Sequence, residues 1–381
     1  MPTVRFYLST IDDPVNSGHA LWRQPLPDRR TAASLPAEAP AAQPTTYGDY
    51  FSAVARFCAS EGWAPILQAV AHKTACRIDK DALQDVAVYL EKHGAFYHPA
   101  RLQIKITDEL FSLVVNVAVS ADGRRTLPGE VKALERLAEQ RPFGWLPQVY
   151  GYQATEIPMF LGDWFDDFHE FHLTRPAGGE SAVVIWDGAA APHLLSNDQA
   201  ADLYRQAAMI LTACYDPIST CQIFPWHHAA GDFVVRIDGS GVAVRLISAR
   251  DYQPFSASAR EADDERAVLD NLVIFLIHLS LRMRLDRLDG VGPVAWAPDA
   301  CLAPMIEGFF QGLDLTARLS GFPEAFPDLF RRYVGLQGEA NWLATARRLT
   351  DAVFDRCTEE RRIVGTYLDG HIQDIRSLMT N

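Results

Sequence analysis

The chain has 381 residues, of which 48% are apolar and 22% are charged, and its formal net charge is −13. This length and composition are those of a globular protein that buries one large core or two modest ones. The acidic balance argues against a general nucleic-acid surface and against binding to anionic membranes, because both require clustered Lys and Arg.

The spacing of the cysteines and the length of the apolar runs indicate the cellular compartment in which we expect the protein. The six cysteines are scattered and form no CxxC pair, so we expect reduced, buried thiols in a cytoplasmic protein. The first ten residues lack the apolar core of a signal peptide. The longest apolar run, residues 272–281, is too short to span a bilayer, and we expect its His278 to be a buried core residue.

The first 92 residues divide into two predicted segments. Residues 31–46, TAASLPAEAPAAQPTT, are rich in Ala and Pro and nearly uncharged, so residues 1–46 are predicted to be an arm that ends in a linker. Helical periodicity over residues 49–59 and 79–92 predicts a helical extension over residues 47–92.

A β-rich region follows. Residues 100–106 and 111–120 alternate apolar and polar side chains, which predicts the two strands of a hairpin. Pro128 suits the first turn of a helix predicted over residues 128–140. Three further strands are predicted over residues 145–153, 167–174 and 181–188.

The second half of the chain is richer in helix. Ser196 and Gln199 form a capping box at the start of a helix in LLSNDQAADLYRQAAMILTACY. The pair Asp238 and Gly239, in a short loop between FVVRI and VAVRLIS, predicts a β-hairpin. From about residue 263 the pattern is almost entirely helical. Because the sheet-rich part precedes the helix-rich part, we expect a two-lobed α+β fold and not a βαβ alternation.

Several short stretches between residues 93 and 188 match one family in their order. Gly94 in HGAFYHPARLQI stands where that family has a glycine loop, and Asn116 in LVVN stands where it has a strand lysine. Glu130 opens the helix that supplies the glutamate partner of that lysine. VVIWDG resembles the last strand of that family's small lobe, which runs into the hinge between its two lobes. In the family, backbone groups of the hinge bind the edge of adenine, and the corresponding residues here are Ile185, Trp186 and Asp187. This order resembles the protein-kinase-like fold, in its aminoglycoside-phosphotransferase and choline-kinase branch.

PWHHAAGDFVVR, residues 225–236, resembles the catalytic loop of that fold. His227 precedes Asp232 by five residues, as the family's Asp base precedes its metal-binding Asn, so the resemblance implies His227 as the base and Asp232 as a Mg²⁺ ligand. For the second metal ligand, the direct register gives Ser248, and a three-residue slip gives Asp251, which we prefer because it supplies charge. A second alignment makes Asp232 itself the base.

The resemblance implies a nucleotide-type lobe over residues 93–188 and a largely helical C-terminal lobe over residues 189–381, in which PMIEGFFQGL (304–313) is similar to a Gly-aromatic turn of the family. It also implies an ATP- and Mg²⁺-dependent phosphotransferase that acts on a hydroxylated small molecule. Because Asn116 replaces the strand lysine, Lys105 on the neighbouring strand, or an arginine, is the candidate phosphate clamp. These departures leave an alternative, a catalytically inactive pseudokinase that acts as a binding or scaffold protein.

Two other interpretations of the histidines are open. His227 and His228 also fit a buried turn in which their rings pack under Trp226. A metal hydrolase is the other alternative, although HEFH lacks the i,i+4 spacing of a zinc protease motif. Its ligands would come from His169, His172, His227, His228 and Asp232.

Overall fold

Helices and several sheets make up the protein, so the predicted α+β class is confirmed. The computed structural model describes residues 2–9, 13–27, 44–176, 179–186, 192–228, 231–255 and 264–380. The chain forms two compact units, the first comprising Met1–Ala138 with Pro147–Asp166 and the second Glu139–Leu146 with Asp167–Asn381.

The first unit is built on one mixed sheet with helices α1 (Tyr47–Cys58), α2 (Ala64–Thr74) and α3 (Ala121–Gln140). Its strands are β1 (Thr3–Leu8), β2 (Leu83–Leu90), β3 (His98–Ile106), β4 (Glu109–Val117), β5 (Val149–Gln153) and β6 (Met159–Asp163). The strand order is β1-β2-β3-β4-β6-β5. β1 runs parallel to β2, and every other neighbouring pair is antiparallel. α3 therefore leads from β4 to the edge strand β5, and β6 returns between them.

Alternation along the strands decides which face of this sheet is core. On β3, Ala100, Leu102 and Ile104 are fully buried in a cluster that includes side chains of α1 and α2. Arg101 and Lys105 point to the opposite face, because successive side chains of a strand alternate. The period-two prediction for this hairpin is therefore confirmed.

Three predictions in this part of the chain are wrong. The helix expected over residues 79–92 is instead strand β2, because its buried side chains Leu83, Val86 and Leu90 have a spacing that also fits one face of a helix. The arm expected over residues 1–46 begins with strand β1, and most of its linker lies outside the described residues. α3 begins at residue 121, so Pro128 lies inside the helix and not in its first turn.

The second unit contains a five-stranded sheet in the order β12-β11-β7-β8-β9 and two short β-pairs, β10-β13 and β14-β15. The strands of the five-stranded sheet are β7 (His169–Thr174), β8 (Ala182–Trp186), β9 (His193–Leu194), β11 (Phe233–Asp238) and β12 (Gly241–Leu246). The short pairs are β10 (Cys221–Ile223) with β13 (Tyr252–Pro254), and β14 (Leu285–Arg287) with β15 (Val294–Trp296). Its helices are α4 (Asn197–Ala213), α5 (Glu265–Met283), α6 (Leu302–Ser320), α7 (Phe326–Leu336), α8 (Glu339–Val353) and α9 (Glu359–Thr380).

Local signals in this half predicted the structure well. The capping box of Ser196 and Gln199 opens α4, and the hairpin predicted around Asp238 is formed by β11 and β12. The exception is β8, which we expected as the last strand of the nucleotide-type lobe over residues 93–188. β8 pairs with β7 in the second unit, and β6 is the last strand of the first unit's sheet.

Helices α4 and α6 pack together through two glycines. A Cβ atom on Gly308 would lie 1.9 Å from the carbonyl oxygen of Arg205, and one on Gly312 would lie 2.5 Å from that of Met209. Both glycines lie inside α6, within the segment 304–313 that the sequence analysis compared with a Gly-aromatic turn. Their spacing of four residues allows close contact between two helix backbones.

Two expectations from composition can be compared with the structure. Cys58, Cys214, Cys221 and Cys301 are buried and free, as expected, whereas Cys76 and Cys357 are exposed. Among the helices that the structure describes, none is long and apolar enough to cross a bilayer.

We expect Gly308→Ala to lower the free energy of unfolding by about 1–3 kcal/mol, because the new methyl group must push α6 away from α4. Urea unfolding monitored by circular dichroism measures this change. Gly335→Ala is the matched control, since Gly335 lies in α7 with no atom within 4 Å of a new Cβ. The control should leave stability unchanged or raise it by up to about 1 kcal/mol. Equal effects of the two substitutions would contradict the packing argument.

Candidate functional site

The loop between β10 and β11 lies beside the segment that follows β12. The backbone N–H of Phe224 donates to the carbonyl oxygen of Asp251 at 3.2 Å, and that of Ile247 donates to the carbonyl of Asp232 at 2.8 Å. Pairing of β10 with β13 and of β11 with β12 produces these contacts. The two segments that the sequence nominated for metal ligands are thus neighbours, in the part of this loop that the structure describes.

Asp232 is buried, with 1% of its surface exposed, and Arg250 binds its carboxylate with two nitrogens. One of these hydrogen bonds joins Nη1 to Oδ2 at 2.6 Å, and Nη2 donates to Oδ1. The backbone N–H of His227 also donates to Oδ2, at 2.9 Å. Both carboxylate oxygens are therefore engaged with donors, and a metal ion at Asp232 would have to displace the guanidinium.

The second predicted metal position has a different environment. Asp251 is half-buried, and its Oδ1 accepts a hydrogen bond from the backbone N–H of Tyr252 at 2.8 Å. Ser248 is also half-buried. No group of three or more His, Cys, Asp or Glu side chains within the described residues has an arrangement that could hold a metal ion.

His227 faces a carboxylate that the sequence did not suggest. Its Nε2 lies 3.5 Å from Oε1 of Glu360, at the start of α9. The other oxygen of Glu360 accepts from Nη1 of Arg282 at 3.2 Å. The contact with His227 comes first among the causes that lower the pKa of Glu360, although burial opposes them. The histidine nominated as base is therefore paired with an ionised carboxylate.

His228 is enclosed by aromatic rings, which confirms the buried-turn interpretation for this residue. The ring centres of its four neighbours lie between 5.3 and 6.2 Å from its own. Burial lowers its pKa to about 4, so the ring is neutral at pH 7. The enclosing residues are Phe171, Tyr204, Trp226 and Phe233.

His172 lies between two carboxylates. Its Nδ1 is 3.6 Å from Oδ1 of Asp286 and its Nε2 is 3.9 Å from Oε2 of Glu170. Burial alone would lower its pKa, but contacts with Asp286 and then Glu170 outweigh burial and raise the pKa to about 9. Glu170 also abuts the loop, since a Cβ atom on Gly231 would lie 2.5 Å from Oε1. His169 is on the opposite face of β7, as its spacing from His172 predicts.

Gly94 is in the turn between β2 and β3, where the glycine loop was expected. Its N–H donates to the carbonyl of Tyr97 at 3.1 Å, and a Cβ atom at Gly94 would lie 2.6 Å from that oxygen. The hydroxyl of Ser120 donates to the carbonyl of Ala95 at 3.0 Å and accepts from the N–H of Gly123. The turn is thus closed on itself and held to the start of α3.

Asn116 lies on β4, opposite Pro99 of β3 and Phe160 of β6. Its neighbour Val115 points into the core with α1 and α2, so Asn116 points to the other face. Asn116 is half-buried, while Glu130 of α3 has only 1% of its surface exposed. At the lysine position, Asn116 is therefore a polar side chain outside the main core. At the glutamate position, Glu130 is a buried carboxylate.

Strand register separates Lys105 from Asn116. Lys105 pairs with Leu110, six residues before Asn116 on β4, which corresponds to about 20 Å along a strand. Arg101 pairs with Val114, two residues from Asn116, and points to the same face. The register therefore favours an arginine over Lys105 as the cation near this position.

Arg101 is held between aromatic side chains. Its guanidinium carbon lies 4.5 Å from the ring centre of Tyr89 and 5.7 Å from that of Trp164. Its Nε lies 2.6 Å from Oε1 of Glu91. The guanidinium is thus an oriented cation, built by residues from separate strands that no local sequence motif links.

The residues expected at the hinge belong to the second unit. Ile185 pairs with Phe171 and is buried, whereas Trp186 pairs with Glu170 and is 44% exposed. Asp187 lies outside the described residues. Because β8 is hydrogen-bonded to β7 and not to β6, these residues do not continue the first unit's sheet, and the hinge assignment is corrected.

Comparison with known proteins adds no family: no family model matches the chain, and no curated protein matches it.

We expect Asp232→Asn to lower the free energy of unfolding by about 3–5 kcal/mol, because it removes one partner of a buried ion pair and leaves the charge of Arg250 behind. Asp314→Asn is the control, since Asp314 pairs with Arg318 on the exposed surface of α6, and should cost below about 1 kcal/mol. Urea denaturation compares the two variants. A loss for Asp232→Asn no larger than the control's would show that the Arg250 contact does not hold the loop.

Buried histidines predict a stability maximum near neutral pH. Burial lowers the pKa of His228 to about 4 and those of His278 and His371 to about 3. Below about pH 6.5 the unfolded chain binds protons that the folded chain cannot, so stability falls as the pH drops, by up to about 1.4 kcal/mol per pH unit for each histidine. His172 acts in the opposite direction, because its pKa is raised to about 9. Its contribution is complete below about pH 6.5 and is lost as the pH rises through 9.

Unfolding free energies between pH 4.5 and 9.5 test this profile. His278→Gln should flatten the acid limb alone, and His172→Gln the alkaline limb alone, so each variant is the control for the other. Parallel changes on both limbs would contradict the assignment.

Proposed function

We propose that the protein is a kinase-like binding or scaffold protein, a pseudokinase that does not transfer phosphate. The order of elements supports the kinase-like part. The hairpin of β3 and β4, followed by α3 and then by β5, agrees with the order that the sequence resemblance implied for residues 93–153, although β8, its expected last strand, lies in the second unit. In the second unit the loop before β11 and the segment after β12 are adjacent, which the same resemblance requires of its catalytic loop and metal-binding segment.

The ion pair between Asp232 and Arg250 carries the proposal. Phosphoryl transfer depends on positioned phosphates and on metal ions that neutralise developing charge. Here the nominated metal ligand is neutralised by a guanidinium within the same unit. The residues at this position therefore do not fit Mg²⁺, because an ion would have to break a buried, bidentate pair before it could bind.

The first unit supports the same conclusion. Asn116 stands at the lysine position, and an amide brings no positive charge to a triphosphate. Arg101, an oriented cation on that face, is already paired with Glu91 and stacked on Tyr89. A ligand can still contact this face, but the fixed charges that transfer requires are absent from these positions.

An atypical phosphotransferase is the second candidate, and one observation favours it. Nε2 of His227 lies 3.5 Å from Oε1 of Glu360, and a carboxylate beside an imidazole orients the ring. Such a pair is able to accept a proton from an acceptor hydroxyl. This activity would need Arg250 to leave Asp232.

We expect the purified protein to release no phosphate from ATP in the presence of Mg²⁺, and any rise in melting temperature with ATP to be the same with and without Mg²⁺. Phosphate release assays and thermal unfolding measure the two quantities. His227→Gln is the matched variant and should behave like wild type in both. Mg²⁺-dependent phosphate release that His227→Gln abolishes would overturn the pseudokinase assignment and establish the phosphotransferase.

A further inference from the structure

Two arginines of the second unit share one phenyl ring. Phe168 lies just before β7, and the guanidinium carbon of Arg236 on β11 is 4.9 Å from its ring centre. The guanidinium carbon of Arg245 on β12 is 5.2 Å from the same ring. Both distances lie within the range of cation–π contacts. We call Phe168, Arg236 and Arg245 the arginine–phenyl group.

The arginine–phenyl group lies on one face of the five-stranded sheet. Val234 pairs with both Arg245 and Glu170, and Arg236 and Phe168 lie two residues further along, so all share that face. Arg236 is exposed and Arg245 is half-buried. The opposite face is core, and its buried side chains include Phe171, Phe233, Val235 and Val244.

The two positive charges are close together. Because both guanidinium carbons lie near one ring centre, they are within about 10 Å of each other, which is comparable to the screening length in physiological salt. Burial, and then the charge of Arg236, lowers the pKa of Arg245. Glu170 shares this face, and its Oε2 lies 3.9 Å from Nε2 of His172.

Stacking on a ring orients a guanidinium without using its N–H groups. One N–H group of Arg245 donates to the carbonyl of Val244 at 2.9 Å. The planar fork of an arginine matches the oxygens of a phosphate group. Two such forks fixed by one ring are preorganised for a ligand with two anionic groups, which reduces the entropy lost on binding.

We propose that the arginine–phenyl group is a binding site for a diphosphate-bearing ligand, with Arg236 and Arg245 each contacting one phosphate. The site involves neither Asp232 nor His227, so it stands whether or not the proposed function is correct. Its ligand is defined by the diphosphate group, which a free pyrophosphate and a nucleoside diphosphate have in common.

Calorimetric titration of the full chain with pyrophosphate, at constant ionic strength, tests the site. We expect saturable binding by the wild type and an affinity at least tenfold lower in Arg236→Gln and in Arg245→Gln. Arg318→Gln, on the exposed surface of α6, should bind as the wild type does. Absence of saturable binding to the wild type, or equal loss in Arg318→Gln, would overturn the proposal.

Two additions keep the result interpretable. The first is Arg236→Lys, which retains the positive charge without the planar fork. A pyrophosphate affinity between those of the wild type and Arg236→Gln supports direct phosphate contact. An affinity equal to that of Arg236→Gln, at an unchanged unfolding midpoint, contradicts it. A parallel titration with ADP separates the sources. Loss of ADP affinity in the same two arginine variants assigns the diphosphate to a nucleotide, and an effect confined to pyrophosphate assigns it to a free diphosphate.

Discussion

The buried ion pair between Asp232 and Arg250 holds the loop before β11 in its conformation. It joins the end of the loop that precedes β11 to the segment that follows β12, and the backbone N–H of His227 completes the set of donors. A buried carboxylate and guanidinium are stable only as a pair, because either charge alone would lose its hydration without compensation. The loop conformation and the identity of residue 250 are therefore physically coupled.

Other features of this region follow from the fixed loop. Because Asp232 fixes the loop, the ring of His228 packs among aromatic rings and is neutral at pH 7. The ring of His227, which is partly exposed, faces Glu360. Adjacent histidines thus have opposite environments, one apolar and one acidic. The same short loop thus contributes one histidine to apolar packing and one to a charged contact, and burial is what separates the two environments.

Local signals predicted the elements that depend on local physics. The strand over residues 100–106, the hairpin of β11 and β12 and the capping box at Ser196 all follow from alternation, a turn pair and a side-chain cap. Strand β2 was mistaken for a helix because its buried Leu83, Val86 and Leu90 are also spaced as on one face of a helix. β8 was assigned to the wrong sheet because strand pairing is decided by tertiary contacts that the sequence of one strand does not specify.

The sequence anticipated which two segments lie side by side but not which charges pair there. The sequence nominated Asp232 and a residue shortly after β12, and the structure makes those segments neighbours. It did not suggest Arg250, which lies across a hairpin, or Glu360, which lies in the last helix. Charge pairs between elements depend on how the elements pack, so spacing along the chain contains no signal for them.

The contact between His227 and Glu360 also has a consequence for biosynthesis. A ribosome makes the loop well before it makes the start of α9. More than a hundred further residues are therefore added after His227 before its acidic neighbour Glu360 exists. Arg282 likewise waits for the same carboxylate. The loop therefore acquires its final electrostatic surroundings only after residue 360 has been made, when much of the second unit has already had time to form around it.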